Sequence, residues 1–225
     1  MTGTVAEETL RVVVPLPAGD APVRAAYGAV PGATGIVAIA HGAGSAMDHP
    51  FLLAFAAALR AEGLATMRFN FPYSEAGRRM PGPAGHAVLT WREIGRTAAE
   101  LVPGRMLACG KSYGGRMASM AVAEGMAASG LAYLGYPFHP PGKPESTRAA
   151  HLPAIGVPQL FVEGSNDPFI QPVADFEAAV GTCQDARIVW VDGGGHSFEV
   201  KGRRRPAQEI GASLAPIVAE FAAAL

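Results

Sequence analysis

The stretch Met106-Leu107-Ala108-Cys109-Gly110-Lys111-Ser112-Tyr113-Gly114 joins an apolar run to a G-x-S-x-G pattern. The run reads as a buried strand, and the residues after Ser112 open a helix. A serine on a sharp strand-to-helix turn has its hydroxyl pushed out at the top of a sheet. Glycines two residues to either side leave room for strained backbone and for a closely packed helix. The turn also aims the Tyr113 amide, at a helix N-terminus, toward the place where negative charge would develop on a substrate oxygen. The five-residue pattern is weak by itself in a glycine-rich chain. Its strand-before, helix-after context gives it weight.

Working outward, apolar β-branched runs alternate with helical patterns. Leu10 to Leu16 and Val23 to Val30 read as two early strands, expected to be antiparallel neighbours. Gly35 to Ala40 is apolar throughout, as a strand buried on both faces requires. Asp48 is the expected cap of a helix from Pro50, with Phe51, Phe55 and Leu59 at helical spacing and Gly63 at its end. Strands are expected over Leu64 to Phe69, Arg105 to Cys109, Leu131 to Gly135, Gln159 to Val162 and Arg187 to Val191. Helices are expected over Trp91 to Leu101 and Met117 to Met126, and around Val173, Phe176 and Val180. A C-terminal helix carries Ile210, Leu214, Ile217, Val218 and Phe221 on one face, with Pro216 expected to kink or restart it. Alternating strands and helices predict an α/β fold, a mostly parallel central sheet with helices on both faces. The segments from Tyr73 to Ala87 and from Tyr136 to Pro158 are rich in glycine and proline and read as rim loops. No linker or repeat interrupts the chain, so residues 1–225 read as one domain without a large cap.

The 225 residues are 49% hydrophobic and 16% charged, with a net charge of −1. That balance argues against disorder and offers no general electrostatic case for nucleic acid or an anionic membrane. No apolar run has the length of a membrane span. Met1 to Leu10 lacks a basic-then-apolar targeting pattern, and the two cysteines, Cys109 in a buried strand and Cys183 in a loop, argue against a disulfide framework and against a clustered-cysteine zinc site. A cytoplasmic protein is the expectation.

A serine nucleophile needs a base, and the base needs an orienting group. His196 lies in Gly193-Gly194-Gly195-His196-Ser197-Phe198, after the last predicted strand. Asp167 lies in Glu163-Gly164-Ser165-Asn166-Asp167-Pro168-Phe169, after the strand before it. Asp192 is the weaker substitute, being so close to His196 in sequence. Ser112, Asp167 and His196 thus follow three strands in the order serine, acid, histidine. His41-Gly42-Ala43-Gly44-Ser45 follows the strand Gly35 to Ala40. An amide of Gly42 or Ala43 is expected to pair with that of Tyr113 as an oxyanion hole, with His41 bracing the loop. Phe71, Tyr73, Lys111, Tyr136, Phe138 and Phe169 are candidates for the substrate pocket, although each is as readily explained by packing or, for Lys111, by solvation. Arg116 has two readings, holding a loop carboxylate or holding a ligand. His139 and His151 read as structural or solvent-facing, and Lys201 to Arg205 as a solvated basic run.

Two nucleotide motifs fail. Five residues, not four, separate Gly104 from Gly110, and they form an apolar strand rather than a phosphate-cradling loop. Met47 stands where a dinucleotide fingerprint needs its third glycine.

The segments quoted above, with Arg68-Phe69-Asn70-Phe71-Pro72-Tyr73 and Gly135-Tyr136-Pro137-Phe138-His139-Pro140-Pro141-Gly142-Lys143, resemble a capless α/β-hydrolase. The group includes testis-expressed protein thirty and the hydrolase-like domain of the nonspecific-lethal-complex subunit 3. The chain is similar, more distantly, to dienelactone hydrolases, whose nucleophile is a cysteine where Ser112 stands here. The resemblance runs from about residue 35 to the end. It implies the α/β-hydrolase fold and a hydrolase-like triad, here Ser112, Asp167 and His196; the chemistry of that triad, acting on a small-molecule acyl substrate, needs no metal or organic cofactor. The expected function is a serine hydrolase of ester, thioester or similar bonds. An acyltransferase with the same triad and a silent binding scaffold are the alternatives, and the oligomeric state is open.

Overall fold

The computed structural model describes residues 6–225; the reading of the extreme amino terminus, Met1 to Val5, lies outside the described residues. Eight strands form one sheet: β1 (Glu8–Leu16), β2 (Gly19–Gly28), β3 (Gly35–Ala40), β4 (Ala65–Phe69), β5 (Arg105–Lys111), β6 (Gly130–Leu134), β7 (Gln159–Gly164) and β8 (Ala186–Val191). Their order is β1-β2-β4-β3-β5-β6-β7-β8. β1 pairs antiparallel with β2, and β2 antiparallel with β4; every later pairing is parallel.

Side chains alternate across the sheet with the two-residue period of a strand. On β3, Ile36, Ala38 and Ala40 face one apolar core, whereas Val37 and Ile39 face the other. Helices α1 (Pro50–Ala61) and α6 (Ala207–Ala223) cover the second face, burying Phe55, Leu59, Leu214 and Val218. The first face is covered by α3 (Ala84–Leu101), α4 (Tyr113–Ala123) and α5 (Val173–Val180), which bury Trp91, Met117 and Phe176. Each such large apolar side chain contributes about 1.5–3 kcal/mol by leaving water. No cap is inserted among the described residues.

Three local expectations are corrected, and a fourth, that α6 kinks or restarts at Pro216, is narrowed because the helix does not restart. His49, not Asp48, caps α1, its ring accepting from the Phe51 amide at 3.3 Å. Asp48 instead reaches Arg68 at 3.4 Å and Arg24 at 3.8 Å. The segment read as loop from Tyr73 to Ala87 includes most of a one-turn helix, α2 (Pro72–Glu75), and the start of α3. Pro83 stands at the N-cap of α3, where a proline costs no helical hydrogen bond. The helix after Ser112 stops at Ala123, three residues short of Met126, because Gly125 turns left-handed at φ +94°. α6 runs through Pro216 as one element, since its apolar face against α1 outweighs one missing backbone bond.

Candidate active site

The parallel strands end along one edge, and the loops that follow β3, β5, β7 and β8 meet there. Ser112 sits between β5 and α4 with φ +50° and ψ −117°, outside the conformations a side chain ordinarily adopts. The tight turn exists because its neighbours lack side chains. A Cβ on Gly110 would lie 2.6 Å from Gly115 Cα, and one on Gly114 would lie 2.6 Å from the His41 carbonyl. The Trp91 indole N–H donates to the Gly114 carbonyl at 3.0 Å, tying α3 to the turn.

The loops after β7 and β8 interlock by the same device. A Cβ on Gly164 would stand 2.6 Å from the Gly195 carbonyl, and the Asn166 amide donates to the Gly194 carbonyl at 2.9 Å. This close approach brings Asp167 to His196. Asp167 Oδ2 lies 2.6 Å from His196 Nδ1, and His196 Nε2 lies 2.7 Å from Ser112 Oγ. The Phe169 amide donates to Asp167 Oδ1 at 2.8 Å, so both carboxylate oxygens are engaged in a fully buried position. The Phe169 ring stacks on the imidazole at 4.1 Å between centroids. With a carboxylate at Nδ1, the ring proton of neutral His196 sits on Nδ1 and leaves Nε2 free to accept. Burial, reinforced by Lys111, outweighs Asp167 and holds the His196 pKa below 6.5. Asp192, the substitute acid, is exposed and among the described residues reaches only the Ser165 hydroxyl, at 3.5 Å.

The loop after β3 is braced from below. The Phe71 amide donates to His41 Nε2 at 3.2 Å, which places the ring proton on Nδ1, donating to the Gly42 carbonyl at 2.8 Å. Burial lowers the His41 pKa to about 4, so the brace is neutral. Asn70 accepts from the Met47 amide at 2.8 Å and donates to Glu75 at 2.8 Å. Arg68, itself buried, donates to the Met47 carbonyl and pairs with Glu7. The motif from Arg68 to Tyr73 is thus the scaffold of this loop. Among the described residues, the amides of Gly42, Ala43 and Tyr113 donate to no protein acceptor. All three residues border the same cavity.

That cavity measures about 670 Å³ and opens over Ser112 and His196. The expected pocket residues divide. Lys111 and Phe169 line it. Phe71, Tyr73, Tyr136 and Phe138 do not; they are buried in the core beneath. They directly follow strand ends, and their rings turn inward: Phe71 stacks with Tyr73, and Tyr136 packs edge-on against Tyr133. Lys111 is occupied, its Nζ donating to the His196 carbonyl at 2.7 Å. Burial brings its pKa down to about 8 despite the nearby acids Asp167 and Glu163. Tyr113, by contrast, lines the cavity with its side chain half-buried, and burial raises its phenol to about 12.

Sequence reasoning passed over Arg148 and Glu163 and left Arg116 open between two roles. Arg148 lines the cavity from within the long segment 136–158, a placement no local signal announces. Arg116 lines it too, and no loop carboxylate pairs with it among the described residues. Glu163 is fully buried, with one oxygen accepting from the Tyr136 amide and the other without a partner. Burial pushes its carboxyl well above the usual range. His151 holds Ser119 at 2.7 Å, and His139 Nδ1 lies 2.8 Å from the Pro140 carbonyl, in keeping with structural readings for both. Among the described residues no three His, Cys, Asp or Glu side chains converge as metal ligands, and no helix is long and apolar enough to cross a membrane.

Solved structures share the architecture. A dienelactone hydrolase from Anabaena variabilis is 23% identical, with 96% of each chain covered and a TM-score of 0.74. An alpha-beta serine hydrolase homologue from Coxiella burnetii is 17% identical, covering 94% of this chain and 96% of that one, with a TM-score of 0.72. A serine hydrolase without a lid from Xanthomonas campestris is 18% identical, with 95% of each chain covered and a TM-score of 0.67. At these identities the likeness is one of fold. Residues 33–223 match the family described as "Alpha/beta hydrolase domain". With the family matched over most of its length and the sheet order and strand-end loops described above, the chain belongs to the alpha/beta hydrolase domain family.

Proposed function

We propose that the chain is a serine hydrolase of esters, thioesters or similarly activated acyl bonds, working through an acyl-enzyme. The observation that carries this reading is the unbroken relay from Ser112 Oγ to His196 Nε2 at 2.7 Å and from His196 Nδ1 to Asp167 Oδ2 at 2.6 Å. Ser112 Oγ attacks the carbonyl carbon while its proton passes to Nε2. Asp167 stabilises the imidazolium and fixes its tautomer. The carbonyl oxygen becomes an oxyanion, held by the Tyr113 amide and by that of Gly42 or Ala43. Collapse expels the alcohol or thiol, which takes the proton from Nε2. Water, deprotonated by the same nitrogen, then attacks the acyl-enzyme and releases the acid and free Ser112.

The lowered His196 pKa supports the role of base, because the ring is neutral at pH 7. Within the family we place the chain near the capless group of testis-expressed protein thirty, on the segments quoted for it. A reducing, cytoplasmic setting fits two free thiols, Cys109 buried and Cys183 partly so. Transfer to an alcohol or amine would use the same groups, and product analysis with competing nucleophiles separates it from hydrolysis. The test is a fluorophosphonate probe read by mass spectrometry, with S112A as control. A single adduct on Ser112 is expected. No adduct on folded protein overturns the reading in favour of a binding scaffold.

A further inference from the structure

Five arginines are at least partly buried among the described residues: Arg24, Arg60, Arg68, Arg116 and Arg148. Three have carboxylate partners, Arg24 with Glu75, Arg60 with Glu7, and Arg68 with Glu7 and Asp48. Among the described residues, Arg116 and Arg148 have none, and neither guanidinium makes a hydrogen bond to a protein acceptor. Arg116 Nε is buried outright and lacks a partner. These two line the cavity that contains Ser112 and His196.

The fold holds them there. Arg116 is in the first turn of α4, its amide donating to the Ser112 carbonyl at 3.1 Å. Arg148 is carried in by the segment 136–158. Its amide donates to the Phe138 carbonyl at 2.7 Å, and its carbonyl accepts from the Tyr136 hydroxyl at 2.8 Å. His151, three residues on, anchors the same segment to Ser119 of α4. The two guanidiniums are near enough for Arg116, after burial, to depress the pKa of Arg148. Two like charges with reduced hydration and no counter-charge are unfavourable unless an anion joins them. The other cation of the cavity, Lys111, is committed to the His196 carbonyl, and the acid that lines it, Glu199, is exposed and forms no ion pair.

We propose that Arg116 and Arg148 form an anion subsite, so that the substrate is an acyl compound bearing a carboxylate or phosphate a few atoms from the scissile carbonyl. The spacing follows from α4: one turn separates Arg116 from Ser112, a rise of about 6 Å. The guanidinium fork suits either anion through paired N–H donors. The inference rests on Ser112 being the nucleophile, and its test keeps the two ideas apart.

Hydrolysis of p-nitrophenyl hemiglutarate is compared with that of p-nitrophenyl pentanoate, which is similar in length and uncharged. The wild-type ratio of kcat/KM is expected to favour the anionic ester by about tenfold or more, the scale of a charged hydrogen bond. In R116Q and R148Q that ratio falls toward one, and in R116K it is intermediate. A wild-type ratio near one, or a ratio unchanged in both glutamine variants, overturns the subsite. Calorimetric binding of glutarate and of inorganic phosphate to the intact protein tells which anion is preferred and needs no chemistry. If Ser112 takes no fluorophosphonate yet glutarate or phosphate binds wild type and not R116Q, the subsite stands and the hydrolase reading fails. If neither anion binds and neither ester is favoured, the subsite fails whatever Ser112 does.

Discussion

Asp167, His196 and Ser112 pass hydrogen bonds from one to the next, and Lys111 adds a bond to the His196 backbone. In another stretch of the same site, the Arg116 and Arg148 side chains border the cavity without a partner among the described residues. The first stretch is satisfied internally, so its geometry is set before any ligand arrives, which is what proton transfer demands. The second leaves donors unpaired where an incoming group can reach them. Unpaired buried donors cost stability, and a chain keeps them where a ligand offsets that cost.

The largest expected effect breaks the satisfied stretch at its nucleophile. S112A should lower kcat by about 10⁴-fold or more on any accepted ester. Its melting temperature should stay at or above that of wild type, because the Ser112 hydroxyl bonds His196 at the edge of the cavity and fills no part of the apolar core. Near-wild-type turnover by the folded variant would exclude the mechanism. D167N comes next, at about 10³–10⁴-fold in kcat. The amide cannot supply two acceptors to the Phe169 amide and His196 Nδ1 together, and the imidazole loses its preferred tautomer. Single-turnover kinetics would isolate this loss in the acylation step.

The contrast is sharpened by two smaller perturbations. The acidic limb of kcat/KM should fall below pH 6.5, because burial lowers the His196 pKa and the imidazole must be neutral to act. K111M removes a positive charge that lowers that pKa, so the limb should move to higher pH. A limb that stays in place or moves down would separate Lys111 from the titration of the base. The smallest effect is on stability. Glu163, near the end of β7, and Asp167, just after it, are both fully buried, but one is half-satisfied and the other complete. The Glu163 pKa is raised above 4.5 in the fold, so its contribution to stability is fully present below that pH and declines as pH rises. E163Q does not titrate. Its melting temperature relative to wild type should therefore climb as pH rises above 4.5, and a constant difference would show that Glu163 titrates alike folded and unfolded.

Much of this arrangement was legible in the chain. Short apolar runs ending in glycine-rich loops marked most of the strands, and the loops after β3, β5, β7 and β8 are the ones that meet. The start of α3 was missed because the segment before Trp91 holds Gly82, Pro83 and Gly85, residues that read as loop until a helix begins on the proline. The aromatic pocket was misjudged for another reason. Position after a strand tells that Phe71 or Tyr136 is near the rim, but not whether its ring turns to the cavity or to the core; both turn to the core.

Arg116 and Arg148 illustrate the same division. Arg116 had two readings, and the sequence alone does not choose between a loop carboxylate and a ligand. Arg148 lies in a segment without regular periodicity, whose path is set by the bonds of Tyr136, Phe138 and His151. The sequence by itself determined the sheet, the strand-end positions of Ser112, Asp167 and His196, and the sharp turn at Ser112. Those follow from periodicity and from glycine sterics, which act over a few residues. Only the tertiary structure decided which aromatics are core, that Lys111 is spoken for, and that two arginines border one cavity unpaired among the described residues. Those depend on how distant loops pack against one another, and no short-range pattern encodes that packing.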